Sequence, residues 1–363
     1  MRKTAATLTM ILLITAAAGT MYANFGSANP YIRPIPETLA TEQAYIRSNG
    51  TVDPSTLPIE REGNFYRLTD NILNYTFEMQ RDNIVIDGNN FSLSFPTYGE
   101  LDRNNLTKTS PALISISNRT NVMVKNIIFD KYSNAIAIQN SSNIIILQNT
   151  IRDGNSGIYI NNSTNCSIVA NQITNHTLHA ISIRDSTSFN VSYNTISNSR
   201  DSGITVTRML QPIDSLQNSI FTRNTFSEDN FALTFLGVHA ANNHIFENNF
   251  LNNQYCGIAF LGVKYTNNSI HDNYWIGNPV QIINYTDSGQ VQDTSPLPNP
   301  ISTYFNSSLF ALPEFAQSPS PKMSTFDSLL TTLVPISIVM VVITCTGLLL
   351  YFKKHKRNLV QKP

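Results

Sequence analysis

Short apolar segments alternate with polar corners through the middle of the chain and recur at a nearly constant spacing. Each repeat contains an asparagine, one variable residue and a large apolar residue, and another apolar residue stands three positions before the asparagine. The asparagines that share this setting are Asn126, Asn149, Asn171, Asn194, Asn224, Asn248 and Asn273. Successive members are 23, 22, 23, 30, 24 and 25 residues apart.

An alternating segment follows each asparagine except the last. It opens with a small residue, as in Ala135–Ile138 (AIAI) and Gly157–Ile160 (GIYI). Such alternation predicts a strand with one buried face, and a period near 23 without helical spacing predicts the coils of a parallel β-helix. The small residue that opens each strand, and the two alternate residues after it, are expected to point outward. The isoleucines expected to line the interior are Ile136, Ile158, Ile181 and Ile204.

The repeated asparagine has a physical reason at an inward corner. Its side-chain amide can donate a hydrogen bond to a backbone carbonyl and accept one from the asparagine of the next coil. Stacked coils, about 4.8 Å apart, would then satisfy one another's buried amides. The asparagines of the repeat are therefore predicted to form one structural ladder.

The two ends of the chain predict export and a membrane anchor. Residues 1–23 combine a short basic start with an apolar stretch and small residues, which is typical of a signal peptide. No charged residue lies between Leu329 and Phe352, and a basic cluster follows at once. This pattern predicts a transmembrane α-helix over 327–352 and a cytoplasmic tail over 353–363. The expected topology is a single-pass type I protein of the cell membrane, with the bulk of the chain extracellular.

The exported part divides into three predicted regions. Residues 24–65 are expected to be an N-terminal cap or lead-in, because the end coils of a solenoid need protection of their sheet edges. The β-helix repeats are assigned to 66–280. Residues 281–326 are rich in proline and serine and are predicted to be a C-terminal cap that continues into an extended stalk.

A resemblance to a known family rests on the segment Asp82–Asn90 (DNIVIDGNN) and on the later Asn-x-Ile coils. These resemble NosD-like and other pectin-lyase-like right-handed parallel β-helix proteins over roughly residues 66–280. The whole layout resembles prokaryotic, often archaeal, surface proteins. The resemblance implies an all-β solenoid and a choice of roles: carbohydrate binding, polysaccharide lysis, hydrolysis or epimerisation, or copper delivery.

Charge narrows the choice of partner. The chain has 24 basic and 24 acidic residues, so its formal net charge is zero and only 13% of its residues are charged. This balance argues against nucleic acid as a partner. Cys345 lies in the predicted membrane span, and the phase of Cys166 predicts a buried free thiol.

Candidate catalytic residues are few. The outward positions of the alternating strands include a single charge, Arg184, which cannot supply both a general acid and a general base. Asp130 and Asp153 each follow a repeat asparagine by four residues, so they are predicted to stack about 5 Å apart in adjacent coils. Such a pair could act as acid and nucleophile or bind calcium, although the neighbouring Lys131 and Arg152 could simply neutralise it.

Metal and modification sites complete the sequence prediction. The histidines show no ligand spacing and no cysteine pair supports them, so neither a metal site nor a cofactor is predicted. Asparagines in N-x-[ST] sequons at outward corners are candidates for N-glycosylation: Asn118, Asn140, Asn165 and Asn175. We expect a membrane-anchored surface protein with a binding or structural role, and the family resemblance implies carbohydrate as its ligand. The alternatives are a polysaccharide lyase, hydrolase or epimerase, and a NosD-like copper accessory protein.

Overall fold

A computed structural model describes residues 42–95, 112–208, 216–285, 293–301, 305 and 314–316. Within these ranges the chain forms 31 β-strands and one 3-10 turn, Glu314–Ala316. No helix in the same ranges has the length and apolar character needed to cross a bilayer. The predicted signal peptide, transmembrane helix and cytoplasmic tail lie outside the described residues.

The predicted all-β parallel β-helix is confirmed. One coil runs through strands β16 (His179–Arg184), β17 (Asn190–Ser192) and β18 (Thr195–Ser197), and the next coil begins with β19 (Ser202–Thr207). Each strand pairs in parallel with its counterpart one coil later, so that Ile181 lies beside Ile204. Three faces result, which we number in the order in which this coil meets them.

Faces 1 and 2 form one continuous sheet of 18 strands. They are joined by the two long strands β11 (Ile128–Gln139) and β13 (Thr150–Asn161), which span the corner between them. The other strands of face 1 are β1 (Glu42–Ile46), β6 (Tyr75–Met79), β9 (Ile114–Ser117), β16, β19, β23 (Phe231–Leu236), β27 (Cys256–Leu261) and β31 (Val280–Tyr285), and β2 (Val52–Asp53) pairs antiparallel with β1. The remaining strands of face 2 are β5 (Ile72–Leu73), β8 (Ser92–Ser94), β15 (Gln172–Thr174), β18, β22 (Thr225–Ser227), β26 (Asn249–Leu251) and β30 (Tyr274–Ile276).

Face 3 is a separate sheet of ten strands, and a third sheet of three strands extends the later coils. The strands of face 3 are β3 (Ile59–Glu62), β4 (Phe65–Leu68), β7 (Ile84–Asp87), β10 (Thr120–Lys125), β12 (Ser142–Leu147), β14 (Ser167–Val169), β17, β21 (Ile220–Thr222), β25 (His244–Phe246) and β29 (Ser269–His271). The small sheet contains β20 (Leu216–Gln217), β24 (His239–Ala241) and β28 (Lys264–Thr266).

The interior consists of stacked rows of identical or similar side chains. The predicted row of Ile136, Ile158, Ile181 and Ile204 is fully buried and in register, as expected. In the later coils the rows become aromatic: the rings of Phe250 and Trp275 stack with centroids 4.3 Å apart. Each row buries apolar surface against the coil above and the coil below, which is the main stabilising contribution of a solenoid.

The small residues that open the face 1 strands do not point outward as predicted. Ala135 and Ala180 are completely buried. A Cβ on Gly157 would lie 2.5 Å from the carbonyl oxygen of Ala180 and 3.1 Å from the side chain of Ile173. A Cβ at position 157 would therefore clash with the backbone of the next coil, so this position requires glycine.

The two ends of the solenoid also differ in detail from the sequence prediction. Strand β1 already pairs with β6, so the first rung begins inside the stretch predicted as a lead-in. After the last coil, residues 293–297 stack on it as a partial further rung, in which Leu297 bridges Tyr274 in parallel. Beyond this rung, Ile301, Phe305 and the turn Glu314–Ala316 pack on the outside of faces 2 and 3. We call these residues the strap. They lie within the stretch that was expected to form a cap and stalk.

Candidate functional site

The asparagine row is a continuous hydrogen-bonded ladder from Asn149 to Asn273. Each side-chain amide donates to the side-chain oxygen of the asparagine in the next coil at 3.0 Å, and each backbone N–H donates to the same oxygen. The side-chain amides also donate to carbonyls of the preceding coil, for example from Asn194 to Ile168. These residues are buried, so the ladder satisfies groups that water cannot reach.

Asn126 is not a member of this ladder. The register pairs Ile128 with Thr150, so the position opposite Asn149 belongs to Ile127. The backbone N–H of Ile127 donates to the side-chain oxygen of Asn149, and the side chain of Asn126 bonds instead to Asp87. The coil is therefore shifted by one residue from the predicted phase, and the ladder begins one coil later.

The same shift separates Asp130 from Asp153, which were predicted to stack. Asp130 lies beside Arg152, with 3.8 Å between its carboxylate and the guanidinium. Asp153 occupies a corner position with positive φ and accepts a hydrogen bond from Asn175 at 3.1 Å. The two aspartates are therefore not opposite each other across the strand pair, as predicted, because Arg152 takes the position beside Asp130.

The candidate glycosylation sites are all exposed corner residues. Asn118, Asn140, Asn165 and Asn175 have φ values of 56°, 49°, 54° and 62°. The side-chain amide of Asn165 donates to Asn143, and that of Asn175 donates to Asp153. Glycosylation at these positions stays a prediction.

The histidines do not converge on a metal site in the part of the chain that the structure describes. His176 lies inside the solenoid, where its Nε2 is 2.8 Å from the hydroxyl of Tyr132. Burial lowers the pKa of His176 to about 3, so its imidazole is neutral. Cys166 is a free buried thiol, as predicted, and burial raises its pKa to about 11.

A second polar row follows the corner between faces 2 and 1. Asp229 stands in this row where the next coils carry Asn253 and Asn278, and its Oδ1 accepts the backbone N–H of Ser199 at 2.7 Å. Asp229 is completely buried and its Oδ2 has no hydrogen-bond partner. Burial raises the pKa of Asp229 to about 7. A protonated carboxyl in this row can donate a hydrogen bond as an asparagine amide does.

A cleft of about 530 Å³ lies over the first half of face 1. Strands β1, β6, β9, β11, β13 and β16 form its floor. The residues that line it are Gln43, Thr76, Phe77, Glu78, Ala112, Ser115, Asn134, Ala137, Gln139, Tyr159 and Arg184. The lining thus combines amides and hydroxyls with apolar surface from Phe77, Ala112 and Ala137, and it has one carboxylate and one guanidinium at different rungs.

Tyr159 and Arg184 are in contact with each other inside this cleft. The guanidinium carbon of Arg184 lies 5.3 Å from the centroid of the Tyr159 ring, in cation-π contact. Gln139 belongs to the same outward row as Arg184, since Gln139 pairs with Asn161 and Asn161 with Arg184. A ring face, a guanidinium and a side-chain amide thus lie on adjacent rungs.

The opposite end of the cleft carries Glu78. Its carboxylate accepts hydrogen bonds from Gln43 at 3.3 Å and from Gln80 at 3.1 Å. Glu78, Ser115, Ala137 and Tyr159 form one row across successive strands. The strand that carries Arg184 follows that of Tyr159. Glu78 is therefore four strands away from it, or about 19 Å at the spacing of parallel strands. The two charges are therefore too far apart to act on one bond.

Sequence reasoning identified Tyr159 and Arg184 as outward residues but missed Glu78, Gln43 and Ser115. The reason is the irregular spacing of the first coils: Phe77 pairs with Ile114, 37 positions later, which breaks the repeat of about 23. The alternation of Tyr75–Met79 was a usable signal for a strand. Its phase relative to the later coils could be fixed only by the pairing.

Comparison with known proteins agrees with this fold. The family model of a right handed beta helix region matches residues 82–225 and 112–275. The periplasmic alginate epimerase AlgG is 14% identical, with a TM-score of 0.41, over 66% of this chain and 78% of that one. The polygalacturonase from Erwinia carotovora ssp. carotovora is 12% identical, with a TM-score of 0.45, over 72% and 80%. The Streptococcus pneumoniae surface protein and adhesin PfbA is 13% identical, with a TM-score of 0.37, over 64% and 89%. No curated protein sequence matches the chain.

Proposed function

The chain belongs to the family of right-handed β-helix regions, and we propose that it is a membrane-anchored protein of the cell surface that binds a carbohydrate chain in the cleft of face 1. The observation that carries this proposal is the contact between Tyr159 and Arg184, 5.3 Å apart, inside a cleft lined by amides and hydroxyls. Sugars present an apolar ring face and a rim of hydroxyl groups. An aromatic ring beside planar polar side chains complements both surfaces.

The geometry of the cleft supports a chain-like ligand. Its polar groups lie on successive rungs along the axis of the solenoid, so that similar contacts recur at a regular interval. Arg184 offers a fork of N–H donors that suits hydroxyl groups or the carboxylate of an acidic sugar. A polymer that runs along face 1 would meet Tyr159 and Arg184 near one end of its path and Glu78 near the other.

Binding is favoured over catalysis by the charges in the cleft. Hydrolysis of a glycosidic bond ordinarily uses two carboxyl groups about 5–10 Å apart. The described lining contains one carboxylate, Glu78, and it includes neither Asp130, which lies beside Arg152, nor Asp153. A copper-related role has less support, because the described residues bring no group of three metal-binding side chains together.

The proposal is tested by a glycan array probed with the detergent-solubilised full-length chain. Tyr159→Ala and Arg184→Ala should each weaken binding of any recognised glycan by about tenfold or more, which corresponds to about 1.4 kcal/mol. Lys264→Ala, an exposed substitution on β28 outside the cleft, should leave binding unchanged. Full binding by the Tyr159→Ala and Arg184→Ala proteins, or no binding to any glycan, would contradict the proposal.

A further inference from the structure

Two arginine side chains meet at the N-terminal end of the solenoid. Arg61 lies on β3 and Arg81 follows β6, while Gly50 lies in the turn between β1 and β2 with a φ of 85°. A Cβ built on Gly50 would overlap both Nη1 of Arg81 and Nη2 of Arg61. The two guanidinium groups therefore lie side by side against the Cα of this glycine. We call Arg61 and Arg81 the arginine pair.

The turn between β3 and β4 holds both guanidinium groups in place. Nε of Arg61 donates to the carbonyl of Gly63 at 2.9 Å, and Nη2 of Arg81 donates to Oδ1 of Asn64 at 2.7 Å. The ring of the buried Tyr66 lies beneath Arg61, with 5.7 Å from its centroid to the guanidinium carbon. Because these contacts come from the protein itself, the arginine pair is preorganised for a ligand.

The aspartates at this end of the solenoid are engaged by other arginines. Asp53 forms an ion pair with Arg47, and Asp82 lies 3.6 Å from Arg119. Within the ranges that the structure describes, no carboxylate lies within 4 Å of either member of the arginine pair. Two like charges that are this close repel each other, so an anion beside them is stabilising.

The glutamates next to Arg61 in the sequence lie on the other side of the hairpin. Arg61 is opposite Tyr66, whose side chain belongs to the core, whereas Glu60 is opposite the exposed Arg67. Side chains alternate along a strand, so Glu60 and Glu62 share the side of Arg67 and not that of Arg61. The arginine pair therefore keeps its positive charge.

The chemistry of the arginine pair selects a class of ligand. A guanidinium carries five N–H donors in one plane, and Arg61 and Arg81 each use one of them in the contacts with the turn. A carboxylate has two oxygens in one plane and is matched by a single guanidinium. A phosphate or sulfate group directs its oxygens in several directions, so it can accept hydrogen bonds from two guanidinium groups at once.

We propose that Arg61 and Arg81 bind a tetrahedral oxyanion, the phosphate or sulfate group of a ligand, at the N-terminal end of the solenoid. Neither residue lines the cleft of face 1, so this is a second site. It does not depend on the binding of carbohydrate in the cleft, and each site can be tested without the other.

Phosphorus NMR of inorganic phosphate tests the site. The detergent-solubilised full-length chain at low ionic strength should broaden the phosphate signal. The Kd should rise about tenfold or more in Arg61→Gln and in Arg81→Gln, because each loses charge-assisted hydrogen bonds. Arg67→Gln is the matched control, since it removes the same charge from the other side of the same hairpin, and it should leave the Kd unchanged. Circular dichroism of each variant checks that the coils are intact.

Competition identifies the source of the oxyanion. Inorganic sulfate and glucose 6-sulfate should both displace phosphate, and acetate at the same concentration should not. Stronger displacement by glucose 6-sulfate than by sulfate would support the site and assign it to a group carried by a sugar, whereas the reverse order would support a site for the free ion. Equal displacement by acetate would contradict a tetrahedral oxyanion. No broadening by the wild-type chain, or an unchanged Kd in folded Arg61→Gln and Arg81→Gln proteins, would overturn the proposal.

Discussion

Asp293 accepts the hydrogen bonds of Asn273 as the asparagine of a further coil would do. Its Oδ2 lies 3.1 Å from both the backbone nitrogen and the side-chain nitrogen of Asn273, and 3.0 Å from Nε1 of Trp275. The ladder that begins at Asn149 thus ends on a carboxylate supplied by the chain after the last coil. This contact satisfies the donors that the end of a solenoid would otherwise leave buried and unpaired.

Asp293→Ala should destabilise the last coil. The substitution removes the acceptor of three hydrogen bonds, and each partly buried donor left unpaired costs about 1 kcal/mol or more. We expect a loss of about 2–4 kcal/mol in the free energy of unfolding of the last coil, measured by hydrogen exchange of the amides of β29 and β30. Asp293→Asn retains a side-chain oxygen and should lose less than half as much. Equal protection in the Ala and wild-type proteins would show that the contact does not cap the ladder.

Asp229 should make the stability of the protein decrease with rising pH. Its folded pKa of about 7 lies above the ordinary value of 3.8, so the folded state binds the proton more tightly than the unfolded state. The stabilisation is complete below about pH 4 and is lost as the pH rises through about 7. Its full size is of the order of 4 kcal/mol, because each tenfold difference in proton affinity between the two states corresponds to about 1.4 kcal/mol.

Asp229→Asn should therefore raise the free energy of unfolding at pH 8 and flatten its decline between pH 4 and pH 8. The matched variant is Asn253→Asp, one coil further along the same buried row, which should steepen the decline. Urea denaturation at several pH values measures both effects. An unchanged slope in Asp229→Asn would mean that this carboxyl is not the group that titrates.

The corrected register predicts which cysteine pairs can form a disulfide. Asp130 and Arg152 are neighbours across a parallel pair, so the double variant Asp130→Cys/Arg152→Cys should oxidise readily. The variant Asp130→Cys/Asp153→Cys tests the phase in which the two aspartates stack, and it should stay largely reduced. Thiol titration after mild oxidation distinguishes the two. A disulfide that forms preferentially between positions 130 and 153 would show that the two aspartates are opposite each other and that Asn126 belongs to the ladder.

Loss of the strap contact should expose the apolar residues of face 3 that cluster with the strap, Val85, Met123 and Ile145. Phe305→Asp removes the ring that packs on Tyr193 and places a charge beside it, with an expected cost of about 2–4 kcal/mol in strap binding. The strap should then be cleaved by protease well before the coils, and the exposed apolar residues of face 3 should bind an apolar dye. Phe246→Asp changes a partly buried residue of face 3 on β25 that is outside this cluster, and it is the control for a charge placed on that face. If protease cleaved the coils at the same rate as the strap, the strap would not detach separately from the coils and this prediction would be wrong.

The fold could be predicted from the sequence because the same few interactions recur in every coil. Asn149, Asn171 and Asn194 are recognisable since each buried amide needs a partner in the next coil. Their apolar neighbours follow from the period of two along a strand. The first coils could not be placed in the same way, because the asparagine at 126 and the apolar residues around it fit two phases one residue apart. Only the pairing of Ile128 with Thr150 decides between them.

The candidate site was harder to predict from the sequence for the same reason. Tyr159 and Arg184 lie in regular coils and were assigned correctly to the outer surface of face 1. Glu78 comes from a coil whose spacing to the next is 37 residues, so its position in the cleft depends on a long-range pairing. The strands that the strap covers carried a sequence signal. Ile84–Ile86 and Ile144–Leu147 are apolar at every position, which indicates strands that are covered on both sides.

Isothermal titration of the full-length chain with the best glycan from the array tests the central claim most directly. The cleft predicts one site whose affinity falls about tenfold or more in Tyr159→Ala, and falls much less in Tyr159→Phe, which keeps the ring face. Circular dichroism of each variant checks that the coils are intact. Equal affinity in the wild-type and Tyr159→Ala proteins, with the fold preserved, would contradict carbohydrate binding at this cleft.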